Sequence, residues 1–360
     1  MRFHSANTAT SIVQKYLSIL CLLLIGCKAM AQSERRILDF EFEGVQLNGI
    51  LNIPESKSPR GIVLLVHGSG RTDAIAQELH LDVRQAILKA GYATYMWDKM
   101  GCGKSGGTFD YNQSVQNSAL EVIAAINTLK NKNIAGSQEI GLWGISRAGW
   151  INPIVINQYK DIKFWISVSG VDDKENFNYL LEQNLEINGT PKDSIRLLSN
   201  ELKAGARLSH SGASFETYMN ATKNLRNNTF FKRFRNNTTI TAPDYYAYQK
   251  TFMQETLDEA SGLQIYIQDF EALLSNIKCP VLALFGEKDR NVDWKKTKAL
   301  YARTLAKNTA LSIQSFPDCN HNLFRCKTGG FYEFQDNALP WIRSPGFLEA
   351  ITDWLNEIGP

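Results

Sequence analysis

The chain alternates short apolar runs with longer stretches in which apolar residues recur every three or four positions. Ile62–Val66, in GIVLLVHGSG, is apolar throughout, the pattern of a strand covered on both faces. Residues 92–98 (YATYMWD), 140–145 (IGLWGI), 163–170 (KFWISVSG), 281–285 (VLALF) and 310–316 (ALSIQSF) read as further strands. Helical spacing over 75–90, 115–129, the stretch after Ser146 to about 159, 294–306 and 346–358 sets helices among them. Strands alternating with helices predict a parallel sheet in an α/β fold. Ahead of this series, residues 36–53 alternate apolar and polar positions around Glu43 and Gly44, which predicts an antiparallel hairpin.

The rhythm stops at Val171. From there to Asn276 there are helical stretches, polar loops and many aromatics, among them Phe177, Tyr179, Phe215, Tyr218, Phe230, Phe231, Tyr245, Tyr246 and Tyr248. The expected organisation is therefore a core formed by 32–170 and 277–360, with residues 171–276 inserted above the sheet as a helical cap. Within the insertion, Lys223, Arg226, Lys232, Arg233 and Arg235 have no acid among them. They predict a solvated face of the cap, or a site for an anionic substrate or an envelope partner.

Residues 1–31 have the pattern of an export signal. Lys15 precedes an apolar run from Tyr16 to Ile25, too short to span a bilayer but suited to an h-region. Ala29-Met30-Ala31 offers a cleavage site, while Leu24-Ile25-Gly26-Cys27 resembles a bacterial lipobox and makes Cys27 a candidate lipid anchor. Either way the mature chain is expected outside the cytoplasm, periplasmic or secreted. Losing this segment removes Arg2, Lys15 and Lys28 and no acid, leaving basic and acidic residues balanced at 36 each. A balanced chain lacks the basic excess that a general affinity for nucleic acid or anionic lipid needs. Cys102, Cys279, Cys319 and Cys326 stay, and an oxidising compartment predicts a disulfide between Cys319 and Cys326.

The candidate chemistry centres on EIGLWGISRAGW, residues 139–150. A strand, a sharp turn bearing Ser146 and a helix would hold a serine hydroxyl clear of the backbone at a helix N-terminus, as a serine nucleophile requires. Gly144 gives the room such a turn needs, and Ala148 stands where a second glycine is usual. An N-cap serine after a buried strand would give the same local pattern. A nucleophile needs a base and an acid further along the chain. Of the five histidines, His321 alone follows the last strand. The acid is expected just beyond the strand before it, and Asp289 lies there in GEKDRNVD. Glu287, Asp293 and Asp318 compete, although Asp293 is placed to cap the next helix and Asp318 is close to His321 in sequence. The roles would be Ser146 attacking an acyl carbonyl, His321 moving the proton and Asp289 holding the imidazole. The oxyanion would lie against the backbone N–H groups of Arg147 and Ser69.

These residues, with HGSG at 67–70, DKMGCGKSG at 98–106, Gly144–Gly149, Gly286–Asp289 and Asn320–His321, give the chain a resemblance to exported bacterial α/β-hydrolases of the serine esterase kind, close to the EstD-like and serine-aminopeptidase-like groups. The chain departs from that pattern at Ala148 and at Met100, where arginine is usual. The resemblance implies an α/β-hydrolase fold and hydrolysis of a carboxylic ester, with thioesters and peptide-like amides as neighbouring chemistries, on a small-molecule ester or acyl substrate and without a cofactor. A catalytically inactive hydrolase fold serving as a binding module in the envelope is the alternative of another class. Nucleotide binding at Gly101–Ser105 (GCGKS) is disfavoured, since Asp98 stands where a P-loop needs its first glycine. Metal hydrolysis is disfavoured because no two histidines have ligand spacing.

Overall fold

A computed structural model of the protein describes residues 34–359 apart from 57 and 308, so residues 1–31, expected to be an export signal, lie outside the described residues together with Cys27. Twelve strands occur among them: β1 (Glu34–Ile37), β2 (Phe40–Phe42), β3 (Val45–Leu47), β4 (Gly49–Ile53), β5 (Ile62–Val66), β6 (Ala93–Trp97), β7 (Ile140–Ile145), β8 (Ile162–Val168), β9 (Thr256–Leu257), β10 (Gln264–Ile265), β11 (Val281–Gly286) and β12 (Leu311–Phe316). Eight of them make one sheet in the order β1-β4-β6-β5-β7-β8-β11-β12. Pairing from β6 to β12 is parallel, and β4 and β1 add an antiparallel edge. The parallel α/β sheet expected from the pattern is thus the centre of the molecule.

Both faces of the sheet are covered, which is why its strands read as continuous apolar runs. Ile62, Leu64 and Val66 of β5 face one cluster together with Leu142, Trp165 and Phe285, against helices Val115–Asn131, Ala148–Gln158 and Trp294–Thr304. Val63 and Leu65 face the other with Trp143, Ile166 and Leu284, against helices Leu81–Lys89 and Phe347–Glu357. Two details differ from the pattern. The helix expected from residue 75 begins at Leu81, because Glu78 and His80 take left-handed φ of 49° and 51° that a helix cannot continue through. The hairpin of 36–53 keeps one register but is interrupted: its base, β1 with β4, joins the main sheet, and its tip, β2 with β3, is a separate ladder. At the break, the Asp39 carboxylate accepts from Asn48 Nδ2 (2.9 Å) and Gly49 N (3.1 Å), replacing ladder bonds.

Between β8 and β11 the chain adds no strand to the main sheet. Helices Phe177–Ile187, Lys192–His210, Phe215–Ala221, Lys223–Asn227, Thr229–Phe234, Ala242–Phe252 and Phe270–Ser275 occupy it, with β9 and β10 as a short ladder. Leu180, Leu181, Leu185, Leu198, Leu225, Phe230 and Phe231 form a small core of their own there.

Candidate active site

The carboxyl ends of β5, β7, β11 and β12 lead into the loops that carry the candidate residues. Ser146 directly follows β7 and has φ +56°, a left-handed conformation that a serine adopts only when its surroundings impose it. Its N–H is held by the carbonyl of Val168 at 3.0 Å, and its own carbonyl accepts from Gly149 N at 2.7 Å. The helix starts at Ala148 with Arg147 as its N-cap, and no side chain caps it. Ser146 is therefore not an N-cap serine. The Gly144–Ala148 departure also finds its reason: a Cβ on Gly144 would stand 2.6 Å from Ala148 Cβ. Strand and helix touch here with a single methyl between them, so one glycine of the usual pair suffices.

His321 lies in the loop after β12 and is 8% exposed, and the fully buried Asp289 lies beyond β11. Nδ1 of the imidazole meets Asp289 Oδ2 at 2.7 Å, while Asp289 Oδ1 accepts from the backbone N–H groups of Asn291 (2.8 Å) and Val292 (3.0 Å). The carboxylate is fixed by main chain on one oxygen and orients the ring with the other. The competing acids are employed elsewhere: Asp293 caps the following helix through Lys296 N at 3.1 Å, Asp318 pairs with Lys288, and Glu287 is exposed. Neither Ser146 Oγ nor His321 Nε2 is engaged in a hydrogen bond among the described residues, and both residues open onto the same cavity.

His67 and His80 are placed for other tasks. Burial pushes the His67 pKa down to about 3, so its ring is neutral and its Nε2 bonds the carbonyl of Trp97 at 2.6 Å, anchoring the HGSG turn. His80 lines the cavity but is pushed down to about 4 by burial and packs on Trp143. The HGSG turn runs beside the nucleophile, since a Cβ on Gly68 would lie 3.5 Å from Ser146 Cβ, and Ser69 and Arg147 both line the cavity. In the glycine-rich loop 98–106, Asp98 turns its carboxylate inward to accept from Ile75 N (2.9 Å) and Lys104 N (3.1 Å). A carboxylate thus takes a loop N–H that a P-loop would offer to phosphate.

The cavity has a volume of about 960 Å³. Its cap side includes Phe177, Leu180, Leu202, Leu225, Phe231, Phe234 and Ile240, and its floor Ser146, Trp150 and His321. Of the nine aromatics noted in the insertion, Phe177, Tyr218, Phe231, Tyr245 and Tyr248 line it. The basic stretch does not form one surface: Arg233 makes two bonds to Asp336 (2.7 and 2.8 Å), Arg226 bonds Thr222 and Met219, and Arg235 reaches the cavity. The expected Cys319–Cys326 disulfide is not formed; both are free thiols. Cys319 bridges across to Arg325, and Cys326 N bonds Asp318 O, so the two cysteines are neighbours along a ladder whose side chains alternate between faces. Cys319 is fully buried in the core, and the Cys326 thiol turns to the carbonyl of Asp318.

Two further residues support the site: Ser169, which sequence reasoning does not find, and Asn320, which it names only as part of a motif. The fully buried Ser169, at φ 46°, donates from Oγ to the His321 carbonyl at 2.6 Å, tying the end of β8 to the histidine loop. Asn320 Oδ1 accepts from the N–H groups of Asn322 (3.0 Å) and Phe324 (3.1 Å) and shapes that loop. A lone Ser after a strand carries no spacing signal, and only its neighbour in space reveals its use.

Among solved structures, the chain is similar to the esterase Pf2001 of Pyrococcus furiosus in two crystal forms, with TM-scores of 0.53 and 0.50, 16% identity and about nine-tenths of each chain covered (91% and 92%; 91% and 91%). It is also similar to DcsB in complex with a substrate analogue, with a TM-score of 0.53, 13% identity and coverage of 90% of this chain and 98% of that one. At these identities the likeness is one of fold. No curated protein matches the sequence. The family model described as serine aminopeptidase, S33, matches residues 57–326, three quarters of the chain, and the protein therefore belongs to that family of α/β-hydrolases.

Proposed function

We propose that the protein is a serine hydrolase that cleaves carboxylic esters with a bulky apolar group, through an acyl-enzyme on Ser146. The observation that carries this reading is the Asp289–His321 bond at 2.7 Å, set beside a cavity whose floor holds a serine in a left-handed turn. His321 Nε2 takes the hydroxyl proton as Ser146 Oγ bonds to the carbonyl carbon. Collapse of the tetrahedral intermediate breaks the bond to the alcohol oxygen, which leaves with that proton. Water then repeats the sequence on the acyl-enzyme, releasing the acid and restoring the serine. Asp289 keeps the proton of the neutral ring on Nδ1, so that Nε2 is the acceptor.

An ester suits the cavity better than the α-ammonium of an aminoacyl amide. The two carboxylates along it are Glu175 and Asp244. Burial raises the Glu175 pKa while its Oε2 accepts from the N–H groups of Phe177 (2.5 Å) and Asn178 (3.3 Å). Asp244 is held in the capping box of its own helix with Thr241. Glu175 is thus bound by its own backbone, and Asp244, an exposed carboxylate whose pKa these bonds lower, is already shared with Thr241. The test is a panel of p-nitrophenyl esters of rising acyl length beside aminoacyl p-nitroanilides, on the unaltered protein and Ser146→Ala. Turnover confined to esters and lost in the variant is expected. Preferential turnover of the anilides would replace this reading with a peptidase.

A further inference from the structure

Resting on the hydrolase reading above, we propose that Lys99 is the positioning residue of the oxyanion hole: its ammonium grips the peptide unit whose N–H the oxyanion uses. Lys99 Nζ donates to the carbonyl of Gly68 at 2.6 Å and to that of Gly70 at 2.8 Å. The Gly68 carbonyl and the Ser69 N–H belong to one planar trans peptide, in which C=O and N–H point in opposite directions. A cation holding the oxygen on one side of the loop aims the hydrogen to the other.

The two sides are the right ones. Lys99 lines a second, smaller cavity of about 190 Å³, Ser146 lines the large one, and Ser69 and Gly70 line both. Arg147, Trp150 and Tyr266 also line both, so the HGSG turn is part of the wall between the two, with Lys99 on the side of the small cavity and Ser146 on that of the large one. The cation also polarises the peptide and strengthens the Ser69 N–H as a donor. Among the described residues, no carboxylate bonds the ammonium. Its charged and titratable surroundings are Arg147, Glu121, Cys102 and, across the turn, the neutral His67, with Asp110, Tyr111, Tyr248, Glu255 and Tyr266 lining the same small cavity. The Arg147 guanidinium is committed to Ser118 Oγ and the carbonyl of Gln113, and Glu121 to Trp97 Nε1 and Gln113 Nε2. Lys99 and Arg147 bring two cations to the turn that carries the proposed oxyanion donors. Burial, with Arg147 second, lowers the Lys99 pKa to about 8, so the grip weakens as pH rises above that value.

The test compares Lys99→Met and Lys99→Arg with the unaltered protein, with Ser146→Ala in parallel, on the best ester of the panel. For Lys99→Met, kcat falls roughly 10²- to 10³-fold, as for loss of one oxyanion donor, with KM changed less than threefold. The unaltered protein loses kcat above about pH 8. Lys99→Arg, which stays charged, keeps kcat within about tenfold and loses that alkaline limb. A role in stability alone would lower the melting temperature without a pH limb that follows residue 99. A folded Lys99→Met with kcat within threefold of the unaltered protein overturns the proposal. So does an alkaline limb that persists in Lys99→Arg, the deciding result if Lys99→Met does not fold. Activity surviving in Ser146→Ala overturns the hydrolase reading and this proposal together, whereas activity lost there but intact in Lys99→Met removes Lys99 alone.

Discussion

The turn at Ser146 rests on how closely β7 approaches the helix that follows, and Gly144→Ala measures that approach. A methyl at 144 would sit 2.6 Å from Ala148 Cβ and 2.5 Å from Asn152 Nδ2, in a region where Ala148 and Asn152 are fully buried. Carbon atoms prefer about 3.5–4.0 Å, so the carbon contact is short by about 1 Å and a strand or helix must shift. Overpacking of this kind costs roughly 1–3 kcal/mol, on the order of 5- to 150-fold in the folding equilibrium. The two short contacts differ in kind. The Asn152 amide is the end of a rotatable side chain, and neither of its polar atoms has a partner among the described residues, so it can swing aside. The Ala148 methyl cannot. Gly144→Ala combined with Ala148→Gly should therefore recover more than half of the loss, which needs a coupling of roughly 1–2.5 kcal/mol because Ala148→Gly alone destabilises the helix by roughly 0.5–1 kcal/mol. Urea unfolding of all four proteins gives the cycle, and titration with an irreversible serine reagent shows whether the turn survives. A harmless Gly144→Ala, or a double variant no better than the single one, would refute the contact as the reason for this sequence.

Other outcomes follow from the same geometry. Asp289→Asn keeps an acceptor for Asn291 N and Val292 N but presents an amide N–H to His321 Nδ1, forcing the tautomer whose Nε2 cannot take a proton; kcat should fall by roughly 10⁴-fold with little change in KM, and a loss under tenfold would contradict the pairing. His67 is neutral in the fold and is protonated on unfolding once pH falls below about 6.5, so it lowers stability by about 1.4 kcal/mol per pH unit from there down to its folded pKa of about 3. A plot of urea midpoint against pH should slope less over that window in His67→Gln, and an unchanged slope would show that the ring already titrates in the fold. Thiol counting on the denatured, unreduced chain from residue 32 onward should find four groups, with Cys279 and Cys326 slow to alkylate at pH 8 in the native protein because burial raises both pKa values to about 12. Two thiols would restore the Cys319–Cys326 bridge.

What could be read from the sequence follows physical reach. Strands buried on both faces leave unbroken apolar runs, so β5, β7, β8 and β11 were visible as Ile62–Val66 and its counterparts. Asp289 and His321 were legible because an open α/β sheet gathers side chains at the carboxyl ends of its strands, and few candidates follow Ser146. Contacts between distant loops were not legible. Neither the Ser169–His321 bond nor the grip of Lys99 on Gly68 has a spacing signature. The disulfide failed on facing: proximity of Cys319 and Cys326 in sequence does not tell which side of a ladder each takes. The start of the helix at Leu81 was misjudged because two non-glycine residues, Glu78 and His80, adopt left-handed backbone.

The central claim is that Ser146 is the nucleophile served by His321. Incubation of the purified protein with a fluorophosphonate, followed by intact mass and peptide mapping, tests it most directly. One phosphonyl group on the peptide containing Ser146, absent from Ser146→Ala and formed at least a hundredfold more slowly in His321→Gln, is the predicted result. Labelling that persists in Ser146→Ala, or that maps to another residue, would contradict it.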